Sequence, residues 1–78
     1  MRQKRSQLVV SFFTTDAAMA LEKHCRQEGL PGRLFPVPRS LTADCGIAWR
    51  CETALERELL ELIGRYGIEV SGVQRMEL

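Results

Sequence analysis

The 78-residue chain has no excess of charge of either sign, no long apolar run and one histidine. Its 11 basic residues stand against 10 acidic ones, which argues against a nucleic-acid-binding protein, because such proteins usually carry a clear basic excess. No apolar stretch approaches the roughly 18 residues that a membrane-spanning helix needs. We therefore expect one domain over residues 1–78, without membrane association.

The basic residues at the start of the chain do not form a convincing targeting signal. The apolar stretch that follows them, Leu8–Phe13, is too short for a signal-peptide core, and no small-residue cleavage site follows it. We expect residues 1–6 to be a frayed basic terminus and the protein to be cytoplasmic.

The three cysteines do not follow a metal-binding or disulfide pattern. Their number is odd, no C-x-x-C pair occurs, and His24 stands next to Cys25. Adjacent side chains on a helix diverge by about 100°, so these two residues would chelate a metal poorly. No phosphate-binding glycine motif or paired-carboxylate arrangement appears either. The sequence predicts no metal and no cofactor.

Hydrophobic periodicity and turn residues divide the chain into six elements. Leu8–Phe13 is apolar at both parities, which is typical of a central strand, whereas Pro36 places the second strand at an edge. The predicted elements are a strand at Leu8–Phe13, a helix from the Thr14–Asp16 cap to Glu28, a strand at Arg33–Phe35, a strand at Cys45–Cys51, a helix at Glu52–Tyr66 and a strand at Ile68–Met76 that is interrupted near Ser71 and Gly72. The order β-α-β-β-α-β predicts an α+β, ferredoxin-like fold: a four-stranded antiparallel sheet with both helices on one face and strands one and three in the centre.

Such a sheet leaves one face without helices. The first strand is apolar at both parities, with Leu8, Val10 and Phe12 on one and Val9 and Phe13 on the other, so the open face would expose an apolar patch. We therefore predict a homodimer, or docking to another protein, through this face or an edge.

Cys45 is the one cysteine that the predicted topology places at the sheet end where the first helix begins. It stands at a loop–strand junction before Gly46, at the sheet end where the first helix begins with Thr14 and Thr15. Helix N–H groups there favour a thiolate; Arg39 would add a cation, and Asp16 would oppose it. The residues alone leave two interpretations open: a reactive thiolate, or a buried cysteine that caps the strand.

The remaining two cysteines are predicted to be small core residues. Cys25 lies on the apolar stripe of the first helix, and Cys51 shares the parity of Ile47 and Trp49 on the third strand. Free cysteine is among the most buried residue types. We expect both thiols, and the Trp49 ring, to lie in the core.

Five segments of the sequence carry a family resemblance: Phe13–Ala18, Gly29–Pro31, Phe35–Arg39, Cys45–Ala48 and Tyr66–Val70. They resemble the small bacterial domains described as selenium/sulfur carrier-like proteins, and the resemblance covers nearly the whole chain. In that family Ser often precedes the cysteine, where this chain has Asp44.

The resemblance implies a carrier in which Cys45 holds and transfers a persulfide or selenopersulfide, supported by Gly46, Arg39, Thr14 and Thr15. Its partners would be sulfur or selenium donor and acceptor proteins, and it would not be a turnover enzyme. The alternative is a non-enzymatic protein-interaction or regulatory module in which Cys45 only packs.

Overall fold

A four-stranded antiparallel sheet organises the computed structural model, which describes residues 6–37 and 46–77. The strand order β2-β3-β1-β4 places β1 and β3 in the centre, and both helices pack against the same face. The predicted ferredoxin-like architecture is confirmed. The elements are β1 (Ser6–Ser11), α1 (Thr15–Glu28), β2 (Arg33–Pro36), β3 (Ile47–Glu52), α2 (Glu56–Tyr66) and β4 (Gly72–Glu77), with a 3₁₀ turn at Thr53–Leu55 before α2.

Both helices end at a glycine in the left-handed conformation. Gly29 ends α1 with φ +74°, and the Leu30 N–H donates to the Cys25 carbonyl at 2.8 Å. Gly67 ends α2 with φ +62°, and the Ile68 N–H closes the last turn in the same way. These bonds use carbonyls that a helix end would otherwise leave unpaired. Within the described ranges, neither helix is long and apolar enough to cross a membrane.

Several predicted boundaries are wrong by a few residues. The first strand ends at Ser11 instead of Phe13, because the Ser11 carbonyl accepts the Ser71 N–H at 2.7 Å where the pairing with β4 runs out. Phe12 is nevertheless fully buried, whereas Phe13 is 60% exposed. The last strand begins at Gly72, at the interruption predicted near Ser71 and Gly72, and the residues from Ile68 to Val70 do not belong to it.

The main core lies between the sheet and the two helices. Its buried members come from β1, α1, β3 and α2, with Phe12 just after β1. They are Leu8, Val10, Phe12, Ala18, Leu21, Cys25, Trp49, Cys51, Leu59 and Leu62.

The face without helices carries a second, smaller apolar cluster. Val9 and Ala48 are 2% and 0% exposed there, and Phe35 and Met76 pack beside them. Phe13 does not belong to this cluster, because it lies beyond the end of β1. The apolar patch that motivated a homodimer is therefore smaller than the sequence suggested, and the homodimer stays a prediction.

Candidate functional site

The end of β1, the start of α1 and the start of β3 meet at one end of the sheet. Ser11, the last residue of β1, pairs with Ala48 near the start of β3. Pro36, the last residue of β2, pairs with Ile47. The helix begins at Thr15, four residues after Ser11. For these elements, the predicted meeting point is confirmed.

Two of the predicted site residues, Cys45 and Arg39, lie outside the described residues. A backbone hydrogen bond joins the residues on either side of that segment: the Val37 N–H donates to the Gly46 carbonyl at 2.9 Å. Gly46 has φ +83°, and the space where a side chain would stand is open to 4 Å. A residue with a side chain would be strained at that φ. The positive φ of Gly46 therefore explains why a glycine follows Cys45 in the sequence.

The first turn of α1 is capped by its own chain. The Thr14 hydroxyl accepts the Ala17 N–H at 3.2 Å, which is the usual role of threonine at a helix N-cap. The sequence predicted that N–H groups around Thr15–Ala17 would stabilise an anion. Because Ala17 already has an acceptor, only the N–H groups of Thr15 and Asp16 lack one within the helix.

The two described cysteines, Cys25 and Cys51, are buried at 0% and 4% exposure, as predicted. Burial raises the pKa of Cys25 to about 12, with smaller contributions from Cys51 and Glu28. Burial also raises the pKa of Cys51. A protonated thiol is a poor nucleophile. Neither Cys25 nor Cys51 therefore has a reactive thiolate at neutral pH.

A polar cluster joins the C-terminal ends of the two helices. The His24 ring stacks on the Tyr66 ring with centroids 3.7 Å apart. Glu28 accepts two hydrogen bonds from Arg65 at 2.7 Å and one from the Tyr66 hydroxyl at 2.6 Å. The sequence did not reveal this cluster, because its members lie on two helices whose contact depends on the tertiary fold. Among residues 6–37 and 46–77, no three His, Cys, Asp or Glu side chains are grouped to hold a metal ion.

The contacts of Glu28 should make the free energy of unfolding depend on pH in the acid range. The hydrogen bonds from Tyr66 and Arg65 lower the pKa of Glu28 from 4.5, so its contribution is present above about pH 4.5 and is lost as the pH falls further. We expect Glu28→Gln to be less stable than the wild type at pH 7. The difference in the free energy of unfolding should disappear as the pH falls below about 4.5. Urea unfolding between pH 3 and pH 7 measures this, and the exposed Glu61→Gln is the control. A difference that persists at pH 3 would show that Glu28 stabilises the helices without its charge.

A family model described as "Putative Se/S carrier protein-like" matches residues 7–75. The matched range begins in β1 and ends in β4, and it includes the segment between β2 and β3 that contains Cys45. No curated protein and no solved structure matches the chain.

Proposed function

Since the chain belongs to the Se/S carrier protein-like family, we propose that it carries sulfur or selenium as a persulfide or selenopersulfide on the Cys45 thiol. A carrier of this kind needs one thiolate that a donor can reach and an acceptor can later reach. Of the three cysteines in the sequence, Cys45 best suits that role.

The observation that carries the proposal is the burial of Cys25 and Cys51. Both are at most 4% exposed, and burial raises the pKa of each. A donor could reach either sulfur only after local unfolding, and in the folded protein the thiolate is scarce at pH 7. A sulfur or selenium carrier needs a group that can bind the transferred atom, and the buried thiols of Cys25 and Cys51 are poorly suited to that role.

The transfer is a thiol–disulfide type of exchange that needs no external oxidant. The Cys45 thiolate attacks the terminal sulfur of a donor persulfide, a new sulfur–sulfur bond forms, and the donor's own sulfur leaves as a thiolate with the electron pair of the broken bond. Attack by an acceptor thiolate on the outer sulfur reverses the process and restores Cys45. A selenopersulfide follows the same course with selenium as the transferred atom.

An exposed aromatic side chain close in sequence to the first turn of α1 suits a protein that docks donors and acceptors. Phe13 is 60% exposed immediately before the Thr14 cap, and Met19 on α1 is 57% exposed. Large apolar side chains are enriched among residues that anchor protein partners. We propose Phe13 as a contact for the partner that delivers or receives the chalcogen.

Loading with a persulfide donor tests the proposal. The wild type should gain the mass of one sulfur atom after incubation with glutathione persulfide, and peptide mapping should place it on Cys45. Cys45→Ser should gain nothing, yet its free energy of unfolding should stay within about 0.5 kcal/mol of the wild type, as for a residue outside the core. Cys25→Ala is the matched control and should still load.

Two results would contradict the carrier. One is loading of Cys25 or Cys51 before Cys45. The other is a Cys45→Ser variant that loses about 1–3 kcal/mol of stability while the wild type takes up no sulfur. The second result would favour the interaction module, in which Cys45 packs as a structural residue.

A further inference from the structure

Two arginines lie directly opposite each other on neighbouring strands. Arg33 on β2 pairs with Arg50 on β3, so both side chains leave the same face of the sheet, at the end away from Gly46. Like charges in directly opposed positions destabilise an antiparallel pair. A nearby negative charge would offset the repulsion between the two arginines.

The described part of the chain does not provide a carboxylate for either arginine. Its ion pairs involve Arg26, Arg65 and Arg75, and within residues 6–37 and 46–77 no acidic oxygen lies within 4.0 Å of the Arg33 or Arg50 guanidinium. Arg50 contacts the Phe35 ring, with its guanidinium carbon 5.6 Å from the ring centroid. This contact orients one arginine but neutralises neither.

Both arginines line an open depression of about 390 Å³ at this end of the sheet. Gly32 and Gln7 line it as well; Gly32 adds no side chain to fill it, and the Gln7 amide is a hydrogen-bond donor. Glu52, which pairs with Gln7 across the strands, brings one negative charge to the same depression. The formal charge of these lining side chains is therefore positive by one.

We propose that this depression binds a small oxyanion between Arg33 and Arg50. Two guanidinium groups present forked donors that match the geometry of sulfate-like and phosphate-like oxygens. The anion would relieve the repulsion between the arginines, and the Gln7 amide would donate a further hydrogen bond. The proposal does not depend on the chemistry of Cys45.

The single tryptophan reports on the site. The Trp49 ring lies directly beneath Gly32: a Cβ on Gly32 would stand 2.7 Å from its Cε2 atom. Titration with sodium sulfate and, separately, with sodium thiosulfate, at constant ionic strength maintained with sodium chloride, should therefore change the Trp49 fluorescence. We expect saturation with a Kd of about 1 mM.

Variants that remove a positive charge and a variant that removes a negative charge should change the affinity in opposite directions, which makes the test specific. Arg33→Gln and Arg50→Gln should each weaken binding about tenfold or more, as expected for the loss of a charge-assisted hydrogen bond, whereas Glu52→Gln should tighten it. Arg57→Gln, on the exposed face of α2, is the control and should leave the Kd unchanged, as should Cys45→Ser. Circular dichroism checks that each variant folds. If Arg33→Gln does not fold, Arg33→Lys takes its place, because lysine keeps the positive charge but lacks the forked donors of the guanidinium group.

Three results would overturn the proposal. They are a fluorescence response that does not saturate, an equal loss of affinity in Arg57→Gln, and unchanged affinity in both arginine variants. If Cys45→Ser alone abolished anion binding, the anion would belong to the thiol site instead, and this depression would not be a binding site. Retained anion binding in a Cys45→Ser variant that fails to load sulfur would support both proposals independently.

Discussion

Replacing Gly32 with alanine should destabilise the protein by about 2–4 kcal/mol, because two separate costs combine at this position. Gly32 has φ +152°, where a side chain is strained, and an added Cβ would stand 2.8 Å from the backbone oxygen of Arg50 and closer still to the Trp49 ring. Neither neighbour can move easily. The Arg50 oxygen belongs to the central strand β3, and Trp49 is 2% exposed in the core.

Urea unfolding followed by circular dichroism measures this change. Gly64→Ala is a matched control, because Gly64 lies in α2 with open space around its missing Cβ and without a positive φ. Alanine is the better helix former, so the control should gain up to about 1 kcal/mol. Opposite signs for the same chemical change would locate the cost in the positive φ and the close contacts of Gly32. A loss below about 0.5 kcal/mol in Gly32→Ala would show that the strand and the ring adjust freely.

The sequence carried enough local information to predict the architecture. A strand that is apolar at both parities is expected where side chains are buried on both faces, and Val9 and Val10 are indeed both buried in β1. Gly29 and Gly67 predicted the helix ends because few other residues adopt a positive φ at low cost. The stripe containing Ala18, Leu21 and Cys25 follows directly from helical periodicity.

The candidate sites depend on information that the local sequence does not contain. The opposition of Arg33 and Arg50 is set by the register of β2 against β3, and the residue pattern within each strand does not reveal that register. The contact of Glu28 with Arg65 and Tyr66 arises only when the two helices share one face of the sheet. For Cys45, sequence physics left two interpretations equally open, and the family resemblance favoured the reactive thiol.

The buried thiol of Cys25 should make the protein lose stability at alkaline pH. Burial raises the pKa of this thiol from 9.0 to about 12. Because the folded-state value is the higher one, the contribution is fully present below pH 9, where the thiol is protonated in both states. It is lost as the pH rises towards 12, because the unfolded chain releases its proton first. The slope approaches about 1.4 kcal/mol per pH unit at its steepest.

Urea unfolding at intervals from pH 7 to pH 10.5 measures the effect as the difference between the wild type and Cys25→Ala. The variant should be less stable at pH 7, because it leaves a small cavity at a fully buried position, and the difference should narrow above pH 9 because the variant has no thiol to ionise. Ile63→Val, which removes one methylene from a half-buried side chain beside the core, should show a constant offset at every pH. If the Cys25→Ala curve stayed parallel to the wild type, as the Ile63→Val curve should, Cys25 would ionise equally well in the folded and unfolded chains. It would then compete with Cys45 for the role of carrier thiol.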